Sequence, residues 1–433
     1  MKIKFIFTLF LCLLFTSCSN SGLDKYVESY NNNLKYGNIE NYNPVIEKID
    51  KKEKSNTLKV GLFLPLSGSA QIVGESLLNS AELSMFKNKK NNMTLFVYDT
   101  KGTTFGAVDA MNQAIKDKID VIIGPLLYSE TKAIADLAVK NNILVFSLSS
   151  EEKLKQTDNI FVAGSIPEQE IELLTSTLID NSMTNFIAYL PNNSYGSYIN
   201  DILKNKLKSK DANLIKVDFY NKNDNEKLFD NKLLNLLNSY KVSQEYLDRY
   251  EEQKQDTTNP KNKEFIVNDE DKIRPQVLFL AEGAKVAENV GMSIYKYKEK
   301  LDVKNIQLAG MTKLEGERSV LQNPYLDGII YIGSDIEKYN AFEREYLNTY
   351  NTTPIKISSI VYDLLNVLDK FFEKEDGVYV VNKEKLLYPL GYDGIDGRFR
   401  FLPNGLIERN MFVLQVQNKK KVLIQTNQEF LNY

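Results

Sequence analysis

Residues 58 to 86, LKVGLFLPLSGSAQIVGESLLNSAELSMF, constrain the fold of this chain more than any other stretch. The run from Leu58 to Leu64 is almost wholly apolar, as a strand covered on both faces of a parallel sheet must be. A Pro/Ser/Gly loop follows, and Val73, Leu77, Ala81 and Met85 then recur every four residues as the buried stripe of a helix. The loop so placed lies at the carboxyl end of a parallel strand, where open α/β sheets bind small molecules.

The same order repeats. Thr94 to Tyr98 predicts a second strand, with Ala107, Ala110, Met111, Ala114 and Ile115 on the helix behind it. Ile119 to Ile123 is a third strand ending at Gly124-Pro125, a helix starts near Ser129 with Ile134, Leu137 and Ala138 inward, and strand Ile143 to Ser147 follows. Strands alternating with helices of this length give right-handed βαβ units in a parallel sheet. Ser165-Ile166-Pro167-Glu168 has the form of a capping box. After it the pattern restarts with strand Asn185 to Leu190, loop PNNSYGS, and a helix from about Tyr198. Strands near Leu214 to Phe219, Val277 to Leu280 and Ile306 to Leu308 complete a second sheet. At 433 residues the chain is too long for one ordinary core. The expected fold class is α/β, with two Rossmann-like lobes built on parallel sheets.

Residues 221 to 274 interrupt the second lobe with a highly charged stretch. Leu233, Leu234, Leu237, Tyr240 and Leu247 are spaced as on one helical face, so it is read as a helical insertion, either a solvated excursion or a partner-binding arm. Near the C-terminus Ile360, Leu364, Val367, Leu368 and Phe371 form another helical stripe. GYDGIDGRFRFLPNGLIERNMFVLQVQNKKK then reads as a hairpin, with Pro403-Asn404-Gly405 as its turn and Met411 to Val416 as the returning strand.

The N-terminus carries Lys2 and Lys4, an apolar run from Phe5 to Phe15, and Thr16-Ser17-Cys18-Ser19, the layout of a secretion signal over residues 1–17. The run is too short to span a bilayer. Both cysteines, Cys12 and Cys18, lie here, so the mature chain has a single thiol at its start and no disulfide. Residues 20 to 57, rich in Asn, Lys, Glu and Ser, read as a flexible tether.

Composition excludes much chemistry. With no His there is no Ser-His-Asp triad, no His-ligated zinc and no imidazole base. Trp, the commonest platform for stacking sugars, is absent, although 25 Tyr can replace it. The 54 basic and 57 acidic residues give no gross attraction to nucleic acid, and loss of the two lysines with the signal leaves 52 against 57. SGSAQIVG lacks nucleotide-loop spacing. Asp393 and Asp396 in DGIDG do not fit the calcium loop and are read as turn residues, so no metal and no cofactor are expected.

From about Leu58 to Lys420 the segments VGLFLPLSGS, VIIGPLLYSE, LVFSLSS, LPNNSYG and YDGIDGRFRFLPNG, in this order, resemble the type 1 periplasmic binding proteins, the family of branched-chain amino-acid receptors. LFTSC is similar to the lipobox of bacterial lipoproteins, with Phe15 where Leu is usual; this implies acylation of Cys18, a tether over 18–57, and, with Ser19 rather than Asp next, periplasmic display from the outer membrane through the lipid anchor alone. The binding-protein resemblance implies a central cleft and three crossings between lobes, near 165, 311 and 392. The N-terminal lobe would then be 58–165 plus 312–392, and the C-terminal lobe 166–311 plus 393–433 with insertion 221–274. Lipobox, tether, charged insertion before VLFLAEGA and the ending DGIDGRFRF…NGLIER together look like the penicillin-binding-protein activator lipoproteins. Those are regulators rather than enzymes, and their partner is a peptidoglycan synthase.

Two readings remain open at this point: such an activator, or an amino-acid receptor of an ABC importer. If the cleft takes an amino acid, the family's ligand loops fall at Ser67 and Gly68, at Ser129, and at Ser147, Ser149 and Ser150, whose hydroxyls and neighbouring amides would hold a carboxylate. Tyr195 would be the aromatic wall of the other lobe, and Glu282 or Asp335 would meet the ammonium. As ordinary structural residues the serines would be helix caps or turn residues, and Tyr195 a core aromatic.

Overall fold

The computed structural model describes residues 55–87, 92–255, 267–302 and 305–427. Cys18, the signal segment and nearly all of the tether lie outside the described residues. The tether's last residues are docked: Ser55 N donates to Gly377 O (3.1 Å) and the Tyr379 hydroxyl to Asn56 O (3.3 Å).

The first lobe is built on β1 (Leu58–Leu64), α1 (Gln71–Lys87), β2 (Met93–Asp99), α2 (Thr104–Lys116), β3 (Val121–Ile123), α3 (Tyr128–Lys140), β4 (Leu144–Ser147) and β5 (Ile160–Val162). Its five strands are all parallel, in the order β2-β1-β3-β4-β5. Apolar clusters cover both faces, Leu62, Val73, Leu77 and Phe146 on one and Phe63, Met111, Ile122 and Val145 on the other. This double cover is why the strands read as continuous apolar runs rather than alternating ones.

The second lobe contains α4 (Pro167–Asp180), β6 (Asn185–Pro191), α5 (Ser194–Ser209), β7 (Asn213–Tyr220), α6 (Glu226–Leu237), β8 (Lys241–Val242), α7 (Gln244–Gln255), β9 (Lys272–Ile273), β10 (Val277–Leu280), α8 (Ala284–Lys296), β11 (Gln307–Gly310) and β12 (Ile330–Gly333). The chain then adds α9 (Ile336–Tyr350), α10 (Ser358–Val367), the hairpin β13 (Phe372–Glu375) and β14 (Val378–Val381), the hairpin β15 (Phe399–Phe401) and β16 (Ile407–Arg409), and strands β17 (Phe412–Gln417) and β18 (Lys420–Thr426). The second sheet runs β18-β17-β12-β11-β10-β6-β7; β7 to β12 are parallel, and β17 and β18 are added antiparallel.

The two lobes share a packing device at the loop after their first strand. A Cβ on Gly74 would lie 2.2 Å from Pro65 O, and one on Gly196 1.9 Å from Pro191 O. Each glycine lets the first turns of a helix press onto the proline carbonyl that ends or follows the strand, which only a residue without a side chain allows. The close approach is thus common to the two lobes, although Gly74 and Gly196 stand at different distances along the chain from their prolines. Asn193 caps the helix of the second lobe, its Oδ1 accepting from Gly196 N (2.9 Å), so that helix starts at Ser194, one turn before Tyr198.

Several boundaries differ from expectation. β12 pairs with β11 and β17, so the chain stays in the second lobe through Gly333 and crosses at Ser334-Asp335 rather than near 311. From there α9 and α10 pack on α1 of the first lobe: the Ser76 and Ser358 hydroxyls lie 2.7 Å apart and Asn79 Nδ2 donates to the Tyr346 hydroxyl (3.2 Å). The β15/β16 hairpin buries Phe399, Phe401 and Ile407 in the first-lobe core, which moves the last crossing from 392 to about 410. Pro403-Asn404-Gly405 does turn this hairpin, but its return strand is Ile407–Arg409, while Met411 to Val416 belongs largely to β17 in the other lobe. α4 starts at Pro167 with Ile166 as its N-cap and no side-chain cap, so Ser165 does not form the expected box; proline at the first helical position supplies the start instead.

The charged stretch 221–274 also divides. α6 is a core helix, with Phe229, Leu233, Leu236 and Leu237 buried against the sheet as the ordinary cover of a β7-to-β10 crossover. Tyr240 and Leu247 are each 42% exposed and do not continue its stripe, because the helix ends at Asn238. The excursion proper begins there, held at its base by the two-residue ladder of β8 with β9.

Candidate functional site

The first-lobe serines all sit at the carboxyl edge of their sheet, and the hydroxyls of Ser67, Ser147 and Ser149 serve the lobe itself. Ser67 Oγ donates to Asp99 Oδ2 (2.6 Å), and Leu66 N and Ser67 N both donate to Asp99 Oδ1 (2.9 and 3.2 Å). Against the upward push of burial, these bonds and one from Lys101 N hold the Asp99 carboxyl below its ordinary range. Gly68 is exposed with φ +82°, the left-handed turn that glycine permits. Ser147 Oγ lies 2.7 Å from Thr131 Oγ1 and accepts from Ser149 N (3.2 Å), and Ser149 Oγ accepts from Glu151 N (3.2 Å). Ser150 is half-buried. Ser129 differs: it is buried, and its hydroxyl has no hydrogen-bond partner among the described residues. Beside it, Glu130 accepts from Leu127 N (3.0 Å) at the start of α3. Burial pushes the Glu130 carboxyl up to about 8, against the hydrogen bonds from Thr100 and Leu127.

In the second lobe the structure brings Tyr195 and Glu282 together through a residue that sequence reasoning missed. Lys313 places Nζ 3.8 Å from the Tyr195 ring centroid and 3.7 Å from Glu282 Oε2. Tyr195 is buried in the second-lobe core, its hydroxyl donating to Ala281 O (3.4 Å). Asp335 has another role. Its Oδ1 accepts from Glu337 N (3.1 Å) and Lys338 N (3.0 Å) as the N-cap of α9.

The crossings between lobes carry a buried charge network that no local motif announces. Lys356 Nζ lies 2.6 Å from Asp396 Oδ1, and Asp396 also accepts from the hydroxyls of Ser334 (2.9 Å) and Ser359 (2.8 Å). Asp396 sits in the turn its DGIDG setting suggested and is in addition a buried anion; Asp393, exposed and 3.1 Å from Arg398, keeps to the surface. Asp363 accepts from Ile395 N (2.9 Å) and lies 3.9 Å from Arg409 Nη1. Burial, then repulsion from Asp396, pushes Asp363 up to about 7; against burial, Lys356 and Arg409 hold Asp396 down. Glu170 on α4 accepts from Thr312 N (3.0 Å) and Thr312 Oγ1 (2.7 Å). The space left among Ser165, Thr312, Ser334, Lys356, Asp396 and Arg409 is about 20 Å³, room for about one water. A further contact spans the lobes, with Lys153 Nζ 5.6 Å from the ring of Tyr198, whose hydroxyl donates to Glu168 Oε1 (2.5 Å).

Among the described residues no group of three or more His, Cys, Asp or Glu side chains is placed to hold a metal ion, and no helix is long and apolar enough to cross a membrane.

Two mainly parallel sheets joined by three crossings give the type 1 periplasmic-binding fold, and solved structures share it. A leucine-binding protein, LivK from Thermotoga maritima, superposes with TM-score 0.57 at 13% identity over 86% of this chain and 98% of its own. Residues 26–269, more than half of the sequence, match the family model described as "LppC putative lipoprotein", and the chain belongs to that family. The uncharacterized protein RP748 of Rickettsia prowazekii is 22% identical over 373 residues, 86% of this chain and 89% of that one. The penicillin-binding protein activator LpoA of Haemophilus influenzae is 26% identical over 166 residues, 37% of this chain and 28% of LpoA. The solved structure of that LpoA superposes with TM-score 0.57 and 15% identity over 86% of this chain, which spans 59% of the LpoA chain.

Proposed function

We propose that this chain is a non-enzymatic lipoprotein, anchored through Cys18 to the outer membrane and displayed in the periplasm, that regulates peptidoglycan synthesis by contact with a penicillin-binding synthase. Membership of the LppC family and similarity to a protein named for activating a penicillin-binding protein support the reading.

The observation that carries it against the receptor alternative is the position of Lys313. The two second-lobe groups that would receive an amino-acid ligand, Glu282 and Tyr195, already hold an ammonium that belongs to the chain. An incoming zwitterion would have to displace it and leave a partly buried lysine without its partners. The serines that would hold the carboxylate are mostly committed within their own lobe, and the crossing segments are pinned by buried ion pairs rather than left free to bend. One observation favours the receptor, the unpartnered hydroxyl of Ser129; a single free hydroxyl is short of a carboxylate site.

The test is a thermal-shift panel of the natural amino acids alongside capture of a purified bifunctional penicillin-binding protein. Specific capture with no concentration-dependent shift is expected. A saturating shift with leucine or a relative, lost in Ser129→Ala, would establish the receptor instead.

A further inference from the structure

A cavity in the second lobe lies away from the junction between the lobes. It has a volume of about 690 Å³, and all its lining comes from the second lobe: the ends of β6, β7 and β10, and helices α6 and α8. In the sheet order, β6 sends the chain outward to β7 while β10, its other neighbour, sends it the opposite way to β11. The cavity therefore opens at the point where strand order reverses, where open α/β sheets leave a crevice, and its size suits a small ligand.

Its chemistry narrows the class. Four carboxylates line it, and each already has a lysine of the chain: Asp224 with Lys232 (2.7 Å), Glu226 and Asp230 with Lys296 (2.7 and 3.1 Å), and Glu282 with Lys313 (3.7 Å). Ser293 Oγ donates to Asp230 as well (2.5 Å). A cation would find no uncommitted carboxylate here. Apart from lysines at the rim, what remains is neutral and of two kinds. Asn193 keeps its Nδ2 after Oδ1 has capped α5, and the amide of Asn289 makes no hydrogen bond among the described residues. Phe229, Val286 and Met292 supply apolar surface, with Tyr220 packed against Phe229 at a ring-centroid distance of 5.7 Å. Side-chain amides that donate and accept, set against aromatic and aliphatic faces, fit a ligand with hydroxyls on its edge and C–H groups on its face. In a chain without Trp these residues provide the platform.

We infer that this second-lobe cavity binds a sugar, one or two pyranose rings of a glycan, with Asn193 and Asn289 meeting its hydroxyl or N-acyl groups and Val286 and Met292 its ring faces. Exposed Lys285 at the rim accommodates a single carboxylate on the sugar. The inference stands whether or not the chain regulates a synthase; of the residues named for an amino-acid ligand only Glu282 lines this cavity, and Lys313 already pairs with it.

Titration of the full chain with chitotriose and with N-acetylmuramic acid, followed by ligand-observed NMR and calorimetry, tests it; leucine and a short neutral peptide are the comparison probes. Saturable sugar binding is expected, weakened at least about tenfold by Val286→Trp, which fills the cavity, and severalfold by Asn289→Ala. Phe86→Ser, on the exposed surface of the other lobe, should leave it unchanged. If Val286→Trp does not melt cooperatively, Asn289→Ala decides. Absence of saturable binding to either sugar at millimolar concentration, binding that survives both cavity variants, or a response to the peptide alone overturns the inference.

Discussion

Lys313 sets its ammonium 3.8 Å from the centroid of the Tyr195 ring, with Glu282 Oε2 at 3.7 Å on the same lysine. Cation, aromatic face and carboxylate form a closed set within one lobe, on the residues that the family resemblance assigns to a ligand. The lobe recognises an ammonium, and the ammonium is its own.

Replacing Lys313 with Met should cost about 1–2 kcal/mol of unfolding free energy, the worth of a partly desolvated cation–π contact and a half-buried ion pair. Urea denaturation measures it. In Lys313→Ala the vacated position should be refilled from solution, so methylammonium should raise the melting temperature of the variant and not of the parent. Equal responses of the two would mean that Tyr195 and Glu282 do not form an ammonium site.

At the crossings, Lys356→Met should be more damaging, because it leaves Asp396 buried at 5% exposure without its cation. A loss of about 3–5 kcal/mol is expected, partly recovered when Asp396→Asn is added. Limited proteolysis should find new cleavage near Ser334 or Asn410 in the single variant if the network fixes the lobes. An unchanged digestion pattern would show that the pair does not hold them.

Glu130 gives a pH dependence with a definite sign. Its carboxyl titrates near 4.5 when free and at about 8 in the folded lobe, so between these values the native state keeps a proton that the unfolded chain has released. Stability from this group is therefore highest below pH 4.5 and falls as pH rises towards 8. Asp363, pushed up to about 7, adds a slope of the same sign. Glu130→Gln should flatten the fall in melting temperature between pH 4.5 and pH 8, and be relatively most stable at the upper end. A variant that parallels the parent across this range would contradict the assignment.

The charged excursion separates into core and appendage. Leu233→Ala, in α6 with no exposed surface, should cost about 2–5 kcal/mol. Replacing residues 243–271 by a short turn between β8 and β9 should change stability by less than about 1 kcal/mol, since loop-closure entropy varies slowly with length. Chemical denaturation of both variants distinguishes a packed helix from a solvated arm, and the trimmed chain then shows whether the arm contributes to synthase capture.

Much of the fold was legible because its central strands are buried on both faces. β1, β6 and β10 are contiguous apolar runs bounded by polar turns, and the helices behind them have clear stripes. β12 lies in an apolar run as contiguous as that of β10, which the sequence reading left without a strand, whereas β18, edge-exposed at Val422, Leu423 and Ile424, has no such signal. Their membership in the second sheet is decided by pairing with distant strands, which is why the crossings at 334 and 410 were misplaced. The serine-rich edge was legible as a strand-end feature, but not whether its hydroxyls were free: Ser67 is committed by Asp99, and Ser147 by Thr131, both through tertiary contact. Lys313 and the Lys356–Asp396 pair were invisible for the same reason. A charged residue in a loop looks solvated until the fold brings its partner, as Thr312 reaches Glu170 across 142 residues.

The most direct test of the central claim is reconstitution of the lipidated chain with a purified bifunctional penicillin-binding protein, reading binding and the rate of peptidoglycan synthesis together. The account predicts saturable binding and a changed synthesis rate, with neither altered by added leucine. No binding and no change in rate, alongside a leucine-dependent rise in the chain's melting temperature, would contradict it.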